Sequence, residues 1–223
     1  MRVLAIETST LAGGVALVEG ERTVAEYTLD IRITHSERLM PAIYQVMRDS
    51  GWRPADLGGL AVAIGPGSFT GLRIGVSAVK GLALALSLPI AAVPTLDALA
   101  AGLPEAAGPV CPVMAARRDE VYASLYRWDG LAMRRDWDYL ALSPGQLADR
   151  LREPTTLVGD AAMAIASPFA RPAPAWRRLP SAAIVGHLGQ ARLRAGEVAS
   201  AAALVPLYVK PSQAELKRAA AVA

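Results

Sequence analysis

Apolar residues near the start of the chain fall into short runs separated by turns. The runs at residues 1–7, 14–18 and 23–29 have the length and composition of β-strands. The segments LAGG and EGE between them are short turns that suit chain reversals. The pattern therefore predicts three strands in an antiparallel meander.

A helical pattern follows at residues 34–48, where apolar residues form a broad arc. Thr34 and Glu37 are spaced as a capping box, and glycine and proline follow the helix. An apolar strand at 60–64, a helix at 70–86 and a strand at 90–93 come next. This order of elements is that of a ribonuclease H-like unit.

The second half of the chain is less regular. Strands are predicted near residues 110–114, 120–127 and 133–140, followed by helical stretches, a long loop at 167–180 and a short strand leading into a polar helical tail. We therefore expect an N-terminal lobe at residues 1–101 that carries two long helices, and a smaller related lobe at 102–223.

The composition excludes several classes of protein. The chain has 223 residues, 53% of them hydrophobic, which is enough for a substantial core. Its longest apolar region is interrupted by charged and proline residues, and the N-terminus lacks a signal-peptide pattern, so a soluble cytoplasmic protein without a membrane span is expected. The single cysteine, Cys111, is expected to be a small core residue. The two histidines, His35 and His187, lack metal-ligand spacing.

Two glycine- and hydroxyl-rich turns are candidates for phosphate binding. The segment GPGSFTGLRIG contains Gly67 and Ser68 between a strand and a helix, where free N–H groups can hold an anion or simply be capped. It lacks the Lys-Ser/Thr pair of a P-loop. The turn after the first strand offers Thr8, Ser9 and Thr10, which could contact phosphate or form a polar β-turn. Both interpretations stay open for each turn.

Small residues also align along the helix from residue 70. Gly71, Gly75, Ala78 and Ala85 fall within one narrow arc, which lets another helix approach closely. Packing against the chain's own sheet or against a second subunit would each explain this arc.

Charged residues give weaker signals. The run Arg117, Arg118, Asp119 and Glu120 suits a charged turn or a ligand contact. The net charge of +3 is mild, and the arginines at 171, 177 and 178 suit a solvated surface or an RNA contact. His35 and Ser36 are neighbours whose side chains diverge, so they do not form a catalytic dyad.

Five segments together resemble the bacterial TsaB (YeaZ) family in order and spacing. They are LAIETS, THSERLMP, AVAIGPGSFTGLRIGVSAVKGLAL, ARRDEVY and LVPLYVK. The resemblance implies a two-lobed actin-like, ribonuclease H-like (ASKHA) α/β fold with mixed sheets flanked by helices. It also implies a non-catalytic scaffold that partners the catalytic paralogue TsaD. With the ATPase TsaE, these proteins install threonylcarbamoyl on an adenosine of tRNA.

The resemblance carries further expectations. No tightly bound cofactor is expected, although ATP or ADP could bind at a subunit interface of the complex. A homodimer is expected when the protein is alone, and tRNA contact only through the complex. TsaD-like proteins hold a metal with an HxxxH pair, and here Leu39 follows His35 at that spacing, so no metal site is expected. One departure is Ala115, which stands where the family often has Asp before the ARR motif.

The family's dimer surface maps onto the two early helices. The interface residues expected from this mapping are Leu39, Ile43, Met47, Gly71, Arg73, Gly75, Ala78 and Leu82.

Three functional hypotheses compete. The first is the docking scaffold. The second is a self-sufficient ATP-dependent phosphotransferase or hydrolase that uses the ETST turn and Glu7, with a glycoprotease-type metallopeptidase as a less favoured variant. The third is a direct tRNA binder that uses the basic tail and the arginine cluster.

Overall fold

The computed structural model describes residues 1–31, 34–117 and 119–209, which form two β-sheets. The five strands of the first sheet are β1 (Arg2–Glu7), β2 (Gly13–Glu19), β3 (Arg22–Leu29), β4 (Gly59–Gly65) and β5 (Ile90–Pro94). Their order is β3-β2-β1-β4-β5, with β1, β2 and β3 antiparallel and β1, β4 and β5 parallel. The predicted meander and the ribonuclease H-like order are confirmed.

Helices cover both faces of this sheet. The α-helices of the described residues are α1 (His35–Ser50), α2 (Phe69–Leu86), α3 (Thr95–Ala101), α4 (Pro144–Arg150) and α5 (Ala182–Arg194). Helices α1 and α2 pack over one face and α5 over the other.

Strand β1 is therefore buried on both sides, which explains its uninterrupted apolar run. Leu4 and Ile6 join the core under α1 and α2, whereas Val3 and Ala5 join the core under α5. Helix α5 lies very close to the sheet, since a Cβ atom added at Gly189 would stand 2.4 Å from the Cβ of Ala61.

The second sheet is built from seven short strands. They are β6 (Val110–Ala115), β7 (Val121–Ala123), β8 (Tyr126–Trp128), β9 (Met133–Arg135), β10 (Leu140–Leu142), β11 (Thr155–Val158) and β12 (Ala170–Pro172). The order is β10-β7-β6-β11-β12, and the β8–β9 hairpin joins the sheet through β6.

The predicted long strands at 120–127 and 133–140 are wrong, because each is broken in two. The chain changes partners at Ser124 and Leu125: β7 pairs with β10, whereas β8 pairs with β9. The Ser124 hydroxyl donates to the Trp137 carbonyl at 2.7 Å, and the Leu125 carbonyl accepts from the N–H of Asp136, so these polar bonds hold the break in place.

Three further predictions need correction. Thr34 does not cap α1 through its side chain; its hydroxyl donates to Glu37 Oε1 at 2.8 Å instead. The predicted strand in LVPLY does not form at residues 204–208, although the N–H of Leu207 donates to the Ile64 carbonyl of β4 at 2.7 Å. The predicted loop at 167–180 contains β12 and a 3-10 turn at Ala175–Arg177. The polar tail from residue 210 lies outside the described residues.

The division into residues 1–101 and 102–223 stays a prediction. Helix α5, which belongs to the second of these parts, packs against β1, β2, β4 and β5 of the first sheet. The chain therefore returns to the first sheet after completing the second.

Helix α2 is, within the described ranges, the one helix long and apolar enough by composition to cross a membrane. Its mean hydropathy is 1.4 over 18 residues, and 33% of those residues are buried. Core helices of globular proteins meet the same criterion, and Val76 and Val79 of α2 lie in the core under the sheet. The high hydropathy thus reflects a buried face combined with an apolar outer face.

Candidate functional site

The two candidate phosphate turns lie against each other, because β1 and β4 are parallel neighbours and their carboxyl ends meet. The N–H of Ser68 donates to the Ser9 carbonyl at 2.6 Å. A Cβ atom at Gly67 would stand 2.3 Å from that same carbonyl oxygen, so only glycine permits this approach. The structure therefore brings the turn residues together, as their sequence positions allow.

The polar groups of these turns bond mainly to one another. Thr8, Ser9 and Thr10 are buried. The Ser9 hydroxyl donates to Glu7 Oε2 at 3.1 Å, and the Thr10 hydroxyl donates to the Ala12 carbonyl at 3.0 Å. Thr8 Oγ1 makes no hydrogen bond within the described residues, and it is buried. A phosphate would have to displace several of these bonds, so binding there stays a prediction.

Ser68 caps helix α2. Its hydroxyl oxygen accepts from the N–H of Gly71 at 3.2 Å, as the capping interpretation of this turn predicts.

Glu7 is a buried carboxyl at the end of β1. The N–H and hydroxyl of Ser9 both donate to it. Burial nevertheless dominates and raises the pKa of Glu7 to about 7, while the two bonds from Ser9 act in the opposite direction. At neutral pH the protonated and ionised forms are therefore both populated, and neither is open to solvent.

His35 ties the start of α1 to the turn after β1. Its Nε2 lies 2.8 Å from the Thr10 carbonyl and its Nδ1 lies 3.0 Å from Arg38 Nη2. A neutral ring with the proton on Nε2 satisfies both contacts. Burial, chiefly, and the Arg38 charge lower the pKa of His35, against the bond to Thr10.

The surroundings of the two histidines differ. Ser36 is exposed whereas His35 is buried, so the two do not pair. His187 bonds to Thr23 Oγ1 at 3.0 Å. Among the described residues, no group of three His, Cys, Asp or Glu side chains could hold a metal ion.

The charged run after β6 forms a turn. The N–H of Ala116 donates to the Glu120 carbonyl at 2.9 Å, and Asp119 adopts a left-handed conformation with φ of 58°. Arg118 lies outside the described residues.

An apolar groove of about 540 Å³ runs between α1 and α2. Its walls include Met40 of α1 and Phe69, Ile74 and Ala78 of α2. Met40 is exposed, and Tyr44 lies one turn further along α1 with 66% of its surface exposed. The Arg73 guanidinium covers the ring of Phe69 at 4.0 Å. We call the outer surface of α1 and α2 around this groove the α1–α2 face.

The structure changes which residues form the α1–α2 face. Leu39, Ile43 and Met47 are buried in the chain's own core rather than presented outward. Gly71 and Gly75 are also internal: added Cβ atoms would stand 2.1 Å from the Thr8 carbonyl oxygen and 2.3 Å from Thr8 Oγ1. In the single chain these five residues thus pack internally, although Leu39 also lines the groove, and their place in an interface stays a prediction.

The remaining predicted interface residues stay at the surface. Arg73 is exposed, whereas Ala78 and Leu82 are half-buried beside the groove. Their role in an interface stays a prediction.

A different stripe of small residues faces outward. Ser77, Gly81 and Ala85 are exposed at spacings of four residues, and no atom of the described residues lies within 4 Å of a Cβ atom placed on Gly81. The sequence pattern contained this stripe, but helical spacing alone did not show which of two small-residue lines faces β1.

Comparisons with known proteins find relatives that are named for one tRNA modification. The model of the TsaD family, described as tRNA N6-adenosine threonylcarbamoyltransferase, matches residues 30–140. A Bacillus subtilis protein described as tRNA threonylcarbamoyladenosine biosynthesis protein TsaB is 43% identical over 128 residues, which is 57% of this chain and 56% of the relative. The Escherichia coli protein of the same description is 40% identical over 131 residues, which cover 58% and 56%. The chain thus spans little more than half the length of these relatives.

A solved structure extends the likeness to nearly the whole chain. YeaZ from Pseudomonas aeruginosa superposes with a TM-score of 0.83 at 29% identity, covering 93% of this chain and 99% of that one. This agreement confirms the actin-like α/β fold class that the sequence motifs implied. In its motifs, its strand order and these comparisons, the chain is similar to the TsaB (YeaZ) proteins.

Proposed function

We propose that this protein is a non-catalytic docking subunit in the biosynthesis of threonylcarbamoyladenosine in tRNA. It binds its partner through the α1–α2 face. The partner is a TsaD-like catalytic paralogue, and a second copy of the chain occupies the face when that paralogue is absent.

The observation that carries the proposal is the apolar character of the α1–α2 face. Met40, Tyr44 and Leu84 are large hydrophobic side chains that lie on the surface, and Leu84 is 74% exposed. Met40 lines a groove whose walls are mostly apolar, while Tyr44 and Leu84 lie further along the same two helices. Exposed apolar patches of this kind mark interaction sites in globular proteins.

The small-residue stripe gives the face a shape that suits a helix. Ser77, Gly81 and Ala85 leave a smooth line along α2. A partner helix can therefore approach the α2 backbone closely, while Met40 and Tyr44 on α1 border the contact. This arrangement favours a helix-on-helix interface.

The carboxyl and imidazole groups that a self-sufficient enzyme would need already form hydrogen bonds inside the fold. Glu7 is buried and accepts both hydrogen bonds from Ser9. His35 is held between Thr10 and Arg38. This geometry supports a docking role over a self-sufficient phosphotransferase, and the chain at position 39 offers Leu where a second metal-ligating histidine would be needed.

The names of the relatives give the proposal its biochemical setting. The family model is that of a tRNA threonylcarbamoyltransferase, and the curated relatives are named as biosynthesis proteins of the same modification. A TsaE-like ATPase joins the complex in this proposal, ATP or ADP binds at a subunit interface, and the complex acts on cytoplasmic tRNA.

Hydrogen–deuterium exchange of the full chain, with and without a purified TsaD-like protein, tests where docking occurs. We expect slower exchange in peptides that cover α1 and α2 on adding the partner, and unchanged exchange in α4. Protection confined to α4 or to the second sheet would contradict the proposal.

A further inference from the structure

An arginine-rich loop of the second sheet presents one exposed tryptophan. Trp176 lies in the 3-10 turn Ala175–Arg177, and 83% of its surface is exposed. Arg171, Arg177 and Arg178 surround it in sequence, and no Asp or Glu occurs between Asp160 and Glu197. The docking function proposed above does not use this loop.

The loop is held in place, so the indole is presented by a fixed backbone. The N–H of Ala173 donates to the Leu157 carbonyl at 2.8 Å, and Ala173 is buried in the core of the second sheet. Arg178 Nε donates to the Ala173 carbonyl at 2.7 Å, and the N–H of Arg177 closes the turn on the Pro174 carbonyl. Little conformational freedom remains to be lost when a ligand stacks on Trp176.

The positive charge of the loop is only partly compensated. Arg171 bonds to the carbonyls of Pro168 and Ala170, and Arg178 bonds to a carbonyl, so these contacts orient both guanidinium groups without neutralising them. Arg177 forms an ion pair with Glu105 at 2.9 Å, but both side chains are about half exposed. Such exposed pairs exchange readily for a phosphate.

We propose that this loop, residues 171–178, binds single-stranded RNA by stacking one base on Trp176 and pairing phosphates with Arg171 and Arg177. An exposed aromatic ring beside arginines whose charge is only partly compensated is a combination that single-stranded nucleic acids recognise. A membrane contact would need a broad apolar helix face, whereas this loop offers one indole on a single 3-10 turn. The site lies apart from the α1–α2 face and does not depend on docking there.

Fluorescence anisotropy with a labelled single-stranded RNA of about 12 nucleotides tests the proposal on the full chain. Trp176→Ala is expected to weaken binding about tenfold, and Trp176→Phe to restore most of the loss, because stacking needs an aromatic ring. Trp128→Ala is the matched control: it also removes an exposed tryptophan beside an arginine, but on β8, where Asp136 and Glu153 pair with that arginine, Arg127. It should leave RNA binding unchanged.

Salt dependence provides a second readout. Replacing Arg171 or Arg177 by Gln should reduce the slope of log affinity against log salt by about 0.7 for each lost phosphate contact.

Unchanged thermal unfolding of Trp176→Ala is expected because the indole is exposed. No binding at low salt, or equal affinity for wild type and Trp176→Ala, would overturn the proposal. Loss of binding to a protein or to anionic vesicles in Trp176→Ala, with RNA affinity unchanged, would assign the loop to that ligand instead and likewise overturn it.

Discussion

Gly75 of helix α2 lies directly against Thr8 of the turn after β1. A Cβ atom added at Gly75 would stand 2.3 Å from Thr8 Oγ1, whereas one added at Gly81 of the same helix meets no described residue within 4 Å. The two glycines thus have different structural roles in the same helix. The first is required by internal packing, and the second leaves the outer face open.

Alanine substitutions distinguish these two roles by their opposite effects on the free energy of unfolding. Gly75→Ala should lower the free energy of unfolding, because overpacking costs about 1–3 kcal/mol and exceeds the gain in helix propensity. Gly81→Ala should raise it by about 1 kcal/mol, since only the propensity changes. Urea unfolding monitored by circular dichroism measures both. Shifts of the same sign in the two variants would contradict the packing described for α2.

The buried carboxyl of Glu7 predicts a pH-dependent stability. Its pKa is about 7 in the folded protein, above its ordinary value of 4.5, so the folded state holds a proton that the unfolded state releases. The stabilisation that this proton gives to the folded state is fully present below pH 4.5 and is lost as the pH rises to about 7. The loss amounts to about 3 kcal/mol.

Glu7→Gln isolates this effect. The variant keeps the shape and can still bond to Ser9, so we expect its stability to change little over the same pH interval. His35 is common to both proteins, and its lowered pKa acts in the opposite direction: that contribution rises with pH up to 6.5. The difference between wild type and Glu7→Gln in urea unfolding at pH 5 and pH 8 therefore reports Glu7 alone. A difference that does not change with pH would rule out the buried, raised pKa.

A carboxylate on α3 joins elements of the two sheets. The hydroxyls of Tyr126 and Tyr139 donate to Asp97 Oδ1 at 2.7 and 2.6 Å, and Arg192 of α5 donates to Oδ2 at 3.0 Å. Asp97→Asn should cost about 2 kcal/mol, because bonds to a charged, partly buried acceptor are replaced by weaker ones.

The exposed ion pair between Arg127 and Asp136 supplies the control. Asp136→Asn should change the free energy of unfolding by less than about 1 kcal/mol, since exposed pairs contribute little. Chemical denaturation measures the free energy of unfolding of both variants. Equal losses would contradict a larger stabilising contribution from the hydrogen bonds to Asp97.

Cys111 is fully buried in the second sheet, as a small core residue should be. Burial raises the pKa of its thiol to about 12, so almost no thiolate exists at pH 8. A thiol reagent should modify the native protein only as fast as it unfolds. Ser77→Cys, which adds a thiol on the α1–α2 face, should gain one rapidly labelled group, and rapid labelling of the wild type would contradict the burial.

The first sheet and its helices could be predicted because local and global signals agree there. Strand β1 reads as an apolar run bounded by a polar turn, and Ser68 stands where a cap is needed. The second sheet was predicted less well. Its strands β7 to β10 are each three residues long, and their partners change at Ser124 and Leu125, which no hydrophobic period can signal.

The candidate site could likewise be predicted from the sequence only in part. The helices that form the α1–α2 face could be found from the sequence, but the residues exposed on it could not. Gly71 and Gly81 both belong to small-residue lines of one apolar helix, and only the contact with Thr8 shows that the line of Gly71 is the internal one. Likewise, the sequence did not show that Ser9 would form hydrogen bonds with Glu7 and with Ser68, which use the polar groups of the turn.

The docking account is tested most directly by the affinity of a TsaD-like partner for Gly81→Arg, measured by titration calorimetry. The substitution favours the helix but places a bulky cation on the line of closest approach. Gly145→Arg on α4 is the matched control, because Gly145 is also an exposed helical glycine, and a Cβ atom added there would lie no closer than 4.0 Å to Ser143 Oγ. We predict that Gly81→Arg weakens binding at least a hundredfold, about 3 kcal/mol, while Gly145→Arg binds as wild type does. Wild-type affinity in Gly81→Arg would show that the α1–α2 face is not the docking surface.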